Sequence, residues 1–375
     1  MEKQLNLDQL EQAMTARGLN QAGLARALKV SRESVRKWLA GESFPRPDKL
    51  LKLAKSLDLS FQQIVVRHDP DEPVIAFRKT RGSKTRDHHI QNARTMGRML
   101  RHLVPYLPFD VLAMPPVLKQ PRLDYEFLRK AAALIRQEIR VQPLESLDFH
   151  HLIRHFGKLQ AVLIPVRWGS KQVHENATHI YLPDSQTTWI YLNLDVNIHD
   201  FKFWMAHEMG HCLAPDLRGD EAEDFADAFA GMLLFPHELA LAGLERLQAC
   251  STRKARLEQL MAIAEEQLIS PFTVYKQINA CAEFSGEQPI SLEPDIFKWM
   301  TRFNQGYLNF SETIFDGELP QEPAHYLEVV SQLFDTPFYD VLRQFLKHSR
   351  KGAGFVQTVL DIPLLDARGL NDALT

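Results

Sequence analysis

His207-Glu208-Met209-Gly210-His211 sits inside an apolar stretch, Phe201 to Leu213, and the rest of the chain is understood from its reading. The stretch is predicted to be a helix. Four residues make just over one helical turn, so both imidazoles leave one face about one pitch apart, close enough to share an ion. Glu208, next to the first imidazole, is then placed to take a proton from a water beside that ion. Zinc peptidases use this H-E-x-x-H spacing. The plainer reading is a pair of surface histidines on an amphipathic helix, and the residues that follow argue against it.

A hydrolytic zinc site takes three protein ligands and keeps a fourth position open. Twelve residues after His211, Glu223-Asp224-Phe225-Ala226-Asp227 opens a second apolar segment, which ends at Leu233-Leu234-Phe235-Pro236. Glu223 and Asp227 are four apart, so their carboxylates share a face. Glu223 is preferred as third ligand, with Glu221 as its rival. Asp227 is placed to accept a hydrogen bond from a ligating imidazole and fix its tautomer. Acids clustered at a helix start, here Asp220, Glu221, Glu223 and Asp224, are favoured there in any case. That does not account for Asp227, which stands among Phe225, Ala226, Ala228, Phe229 and Ala230, where an unpartnered carboxylate is costly.

The strand-like Thr188-Trp189-Ile190-Tyr191-Leu192-Asn193 precedes Phe203-Trp204-Met205-Ala206 and the H-E-x-x-H helix. After it comes E-x-x-A-D-x-F-A-x-x-L-L-x-P, from Glu223 to Pro236. Together these resemble the ImmA/IrrE family of metallo-endopeptidases, a small gluzincin-like fold. The resemblance implies Zn2+ held by His207, His211 and Glu223, with Glu208 as general base. It also implies a substrate class: DNA-binding repressors of the XRE type, cut to release stress or mobile-element genes. The family often carries Asn where Asp227 stands, and an Asp serves the same orienting purpose.

Towards the N-terminus, residues 5–66 read as four or five short helices. Asn20 is a predicted cap for a helix burying Leu24, Ala25 and Leu28. Ser31 is a predicted cap for the next, whose Val35, Trp38 and Leu39 fall at core spacing and which Gly41 ends. The stretch from Leu19 to Val65 is similar to the XRE, or lambda-repressor-like, family. That resemblance implies a helix-turn-helix whose Gln21, Ser31, Arg32, Ser34, Arg36 and Lys37 meet phosphates and base edges of double-stranded operator DNA.

Charge is uneven along the 375 residues: the formal net charge is −3, yet residues 1–104 hold 20 Lys/Arg against 11 Asp/Glu, for +9, and the remainder carries −12. A basic head on an acidic body places nucleic-acid contact in the head. Eight Lys/Arg against Asp87 alone lie between Arg78 and Arg101, readable either as a solvated linker or as an arm along the DNA backbone. No apolar run is long enough to span a bilayer, and Met1-Glu2-Lys3-Gln4 is unlike a signal peptide, so a cytoplasmic protein with no membrane partner is expected. The three cysteines, Cys212, Cys250 and Cys281, suggest neither a disulfide framework nor a zinc ribbon.

The predicted fold class is α+β and mostly helical. Residues 1–68 are read as the helix-turn-helix domain, 69–122 as a basic linker or helical arm, 123–240 as the zinc peptidase domain with a small sheet, and 241–375 as a helical C-terminal region without a motif. Strands are expected at 161–166, 178–182 and 189–192. His174, His179 and His199 lie close enough in sequence to assist an oxyanion, and none is assigned. The expected function is a zinc endopeptidase that cuts an XRE-type repressor, in trans or itself. The alternative is a transcription regulator whose zinc fold senses a metal or ligand without hydrolysis. A homodimer is expected only because such DNA readers usually bind paired half-sites.

Overall fold

The chain divides into two compact units, Met1–Glu72 and Pro73–Thr375. The structure, a computed structural model, describes residues 2–40, 42–68, 72–76, 87–108, 117–169, 176–316 and 321–375.

In the first unit the helices are α1 (Leu7–Ala16), α2 (Gln21–Leu28), α3 (Arg32–Leu39), α4 (Pro47–Leu57) and α5 (Phe61–Ile64). Asn20 Oδ1 accepts from the Gly23 amide at 2.8 Å, and Ser31 Oγ from the Ser34 amide at 3.0 Å. These caps satisfy donors that a first helical turn leaves open, which is why α2 and α3 begin where the sequence placed them. Lys29 takes a left-handed conformation (φ 52°) and turns the chain from α2 toward α3. Leu10, Leu24, Leu28, Val35, Leu50 and Ile64 are buried in one small core. Gly41 lies outside the described residues. The sequence reading missed two strands, β1 (Glu2–Leu5) and β2 (Val65–His68), which pair antiparallel with Leu5 opposite Val65. Four-residue strands are too short to show a period.

The second unit is built on a four-stranded sheet: β3 (Val74–Ala76), β4 (Val162–Val166), β5 (Ala177–Leu182) and β6 (Thr187–Asn193), ordered β3-β5-β6-β4. β4 runs parallel to β6, from Val162 opposite Trp189 to Val166 opposite Asn193, while β5 is antiparallel to both β6 and β3. β4 and β6 are near-continuous apolar runs because helices cover both faces. Between β3 and β4 in the chain lie α6 (Asp87–Leu100), α7 (Tyr125–Glu138) and α8 (Phe149–Lys158). α8 starts at Phe149 because Asp148 caps it, accepting from the His150 amide at 2.8 Å.

After β6 come α9 (Ile198–Leu213) and α10 (Gly219–Leu234), which pack on each other. Their crossing is close at Gly210, where a Cβ would stand 2.9 Å from the Ala226 Cα. The chain continues through α11 (His237–Gln248), α12 (Arg253–Gln267), α13 (Pro271–Phe284), α14 (Asp295–Gln305), α15 (Phe310–Ile314), α16 (Pro323–Phe334), α17 (Phe338–His348), α18 (Ala353–Leu360) and α19 (Leu364–Leu374).

Two expected boundaries change. The segment read as a linker or arm, residues 69–122, instead contributes β3 and α6 to the second unit. α6 buries Ala93, Met96 and Leu100 in its core, and Arg101 Nε pairs with Asp184 Oδ2 at 3.1 Å. Residues 77–86, which carry Arg78 to Arg86, lie outside the described residues. Residues 241–375 are not a separate region either, since their apolar side chains join the same continuous core as the sheet. The outward carbonyls of β4 show how tightly they join. Leu163 O accepts from Thr336 Oγ1 at 2.5 Å, and Pro165 O accepts from the hydroxyls of Tyr326 and Tyr339 at 2.8 and 2.7 Å. α16 and α17 are separated at Asp335, whose φ is 45°, just before Pro337. Among the described residues, no single helix is long and apolar enough to cross a membrane.

Candidate metal centre

α9 and α10 bring three buried donors to one point. One ligand atom each from His207, His211 and Glu223 lies within 4.8 Å of the others. The Nε2 atoms of His207 and His211 are 3.1 Å apart, and the Glu223 oxygens stand 3.5 Å from the first and 3.4 Å from the second. A tetrahedral ion about 2.0–2.1 Å from each donor sets donors roughly 3.3–3.4 Å apart, which these spacings match. Glu223 Oε2 is buried without a hydrogen-bond partner, as a donor awaiting a cation would be. The residues present therefore fit a zinc ion. Glu221, the rival third ligand, is exposed and belongs to no such cluster among the described residues.

Asp227 Oδ1 lies 2.9 Å from His207 Nδ1. With that nitrogen protonated and donating, Nε2 presents its lone pair to the centre. Burial disfavours a charged His207, but the Asp227 and Glu223 carboxylates outweigh it and raise the pKa to about 9. Burial pushes Glu223 the other way, and the two imidazoles overcome it, holding the carboxyl down at about 2.

Glu208 is 3% exposed, and its Oε2 is another buried atom lacking a hydrogen-bond partner. His179 of β5 faces it, with Nδ1 3.6 Å from that oxygen and its ring 5.7 Å from that of His211. Burial lowers the His179 pKa and keeps the ring neutral. The sequence left His179 unassigned because only strand pairing carries β5 to α9. Of the other two, His199 turns away, its Nε2 3.1 Å from Asn304 Oδ1, and His174 lies outside the described residues. Cys212 is buried and unpaired, and burial pushes its thiol well above the usual range.

The first unit offers a separate polar surface. Gln21 opens α2, Ser31 caps α3, and Arg32, Arg36 and Lys37 are exposed along α3. Residues 10–64 match the family model described as Helix-turn-helix. The chain carries an N-terminal helix-turn-helix domain of the XRE type. No curated protein matches. Two solved structures are similar to the chain. Bacillus thuringiensis PlcR, in complex with the peptide PapR7 and DNA, is 13% identical, with 79% of this chain and 93% of that one covered and a TM-score of 0.16. ComR from Streptococcus suis is 12% identical, with 98% and 92% covered and a TM-score of 0.14. At such scores the likeness carries no argument about the second unit.

Within the helix-turn-helix domain, the six predicted contact residues are not equally free. Arg36 donates to Glu33 at 2.9 and 3.0 Å and to Glu42 at 2.9 and 3.1 Å, so its charge is already compensated. The hydroxyls of Ser31 and Ser34 are 2.8 Å apart and bonded to each other. Arg32 and Lys37 remain exposed, with no ion pair among the described residues.

Proposed function

We infer that the protein is a DNA-binding regulator whose second unit is a zinc-dependent endopeptidase acting on a repressor chain of the XRE type. The observation that carries this reading is the buried meeting of His207, His211 and Glu223 at tetrahedral spacing, with the buried carboxylate of Glu208 next in sequence to His207 and faced by His179. When bound, zinc supplies a Lewis acid that acidifies water and polarises a peptide carbonyl. Glu208 takes a proton from the attacking water at Oε2 and returns it to the leaving nitrogen. Asp227 keeps the His207 ring in the tautomer and orientation that its role as a ligand needs. The helix-turn-helix domain delivers the peptidase to operators where such repressors sit, or makes this chain its own substrate.

Glu208→Gln tests the reading. It keeps the shape and removes the base, so the variant should hold zinc in wild-type amount and cut no repressor. Cleavage at the wild-type rate would refute the role given to Glu208. A second reading shares the first half: a regulator in which the metal centre senses an ion or ligand and hydrolyses nothing. It is favoured by the helix-turn-helix match at residues 10–64, a regulator's feature rather than a hydrolase's. Zinc-dependent operator affinity, with no cleavage of any repressor encoded nearby, would select it.

A further inference from the structure

The sheet of the second unit has two sides to close, and it closes them differently. Along β4, the outward carbonyls of Leu163 and Pro165 accept hydroxyls from Thr336, Tyr326 and Tyr339, so that side needs no backbone neighbour. Along β5, the neighbour is β3, only three residues long: Val74 opposite Tyr181, Ile75 opposite Ile180 and Ala76 opposite His179. β5 is also the strand that carries His179 to within 3.6 Å of Glu208. The flank that β3 covers is therefore the one beside the metal centre, and Ala76 pairs with the residue that touches the proposed base.

We propose that β3 occupies the place of the substrate: Val74–Ala76 is an internal plug, and an extended polypeptide segment reaches the metal centre only when β3 has left β5. This rests on the peptidase reading above. An extended segment joins a sheet edge through backbone hydrogen bonds with little demand on sequence, so plug and substrate compete for the same groups of β5. A peptide added outside β3 would lie about 4.8 Å farther from Glu208 than one added to β5 itself, too far for proton transfer.

The plug is short and only half-buried, whereas β5 is buried along most of its length. Pro73, just before it, rests on α6 at Gly97, where a Cβ would come within 2.6 and 2.7 Å of the proline ring. β3 begins two residues after the first unit ends at Glu72.

The test uses the zinc-loaded full chain and a fluorescein-labelled peptide, Glu-Pro-Val-Ile-Ala, which copies residues 72–76. Ile75→Pro imposes a φ of about −65° in place of the strand's roughly −140°, which loosens the three-residue ladder and frees β5. The peptide should then bind at least about tenfold more tightly than to wild type, because a larger fraction of the chain is open. A second variant, Val74→Cys with Tyr181→Cys, locks the strands. Paired positions in an antiparallel ladder lie about 4.5–5.5 Å apart at Cα, within disulfide reach. Its oxidised form should bind no peptide and cut no labelled casein, and reduction should restore both to the wild-type level. Equal peptide binding by the oxidised and reduced forms would overturn the plug, even if Ile75→Pro proves unfolded. Zinc-replete Ile75→Pro with no gain in binding would overturn it too. Peptide gained by Ile75→Pro, with neither casein nor any XRE-type repressor cut, supports the plug and sinks the peptidase reading alone.

Discussion

Replacing Gly210 by alanine tests how the crossing of two helices sets the metal centre. The new methyl would stand 2.9 Å from the Ala226 Cα, 3.3 Å from its Cβ and 3.4 Å from Phe229 Cδ1. Carbon atoms meet comfortably from about 3.5 Å, so α9 and α10 must part by roughly 0.5 Å. Overpacking by a methyl costs about 1–3 kcal/mol, and exchanging glycine for alanine in a helix returns about 1 kcal/mol. The fold itself should lose only about 0–2 kcal/mol. The centre should lose more in proportion, because α9 carries His207 and His211 while α10 carries Glu223 and Asp227. Ligand distances tolerate about 0.2 Å, less than the parting required. Zinc affinity should fall about 10–100-fold, the usual effect of disturbing a ligand's support. Competition against a chromogenic chelator measures it, beside thermal unfolding of the metal-free protein. Wild-type affinity together with an unchanged melting temperature would refute the reasoning, since the two backbones could not then be in contact at this point.

Asp227→Ala should weaken zinc by about 10–100-fold in the same competition assay, and Asp227→Asn should keep most of the affinity, because an amide oxygen still accepts from His207 Nδ1. In duplex DNA binding measured against salt, Arg32→Ala and Lys37→Ala should each reduce the slope by about one. Arg36→Ala should change it less, since Glu33 and Glu42 already neutralise that side chain; a full unit lost there contradicts the structure. His155, buried with neither ring nitrogen hydrogen-bonded, has its pKa lowered by burial to about 4. The unfolded chain then binds the extra proton between about pH 6.5 and 4, so stability is constant above that window and falls as pH drops through it. Its share of the loss should be roughly 1–3 kcal/mol, and His155→Phe should remove that share in urea titrations at pH 7 and pH 5.

What the sequence disclosed, and what it hid, divides along the range of the interactions. Caps are local, so Asn20 and Ser31 could be read directly and the structure places them as read. Helical spacing is local too, and it was enough to put His207 beside His211 and Glu223 beside Asp227. Joining those two pairs needed one more inference, that consecutive apolar helices pack together, and α9 and α10 do. β3 escaped notice because three residues after Pro73 show no alternation and gain their identity only from Tyr181, Ile180 and His179, a hundred positions away. His179 was undecidable for the same reason. The charged stretch from Arg78 to Arg101 misled, since its many cations drew attention from Ala93, Met96 and Leu100 on the opposite face of α6. Nor could the pairing of Arg36 with Glu42 be foreseen, because Glu42 reaches it from beyond the end of α3.

The hydroxyls that cap Leu163 and Pro165 have a practical consequence. They belong to α16, α17 and the turn between them, more than 150 positions downstream of the carbonyls they satisfy. A truncated version stopping soon after α15 would bare that row of acceptors and turn β4 into a sticky ribbon inviting its own copies to stack. Expression of a trimmed fragment for biochemistry should then yield inclusion bodies rather than a soluble second unit. For this protein, the length of the insert decides solubility before it decides anything else.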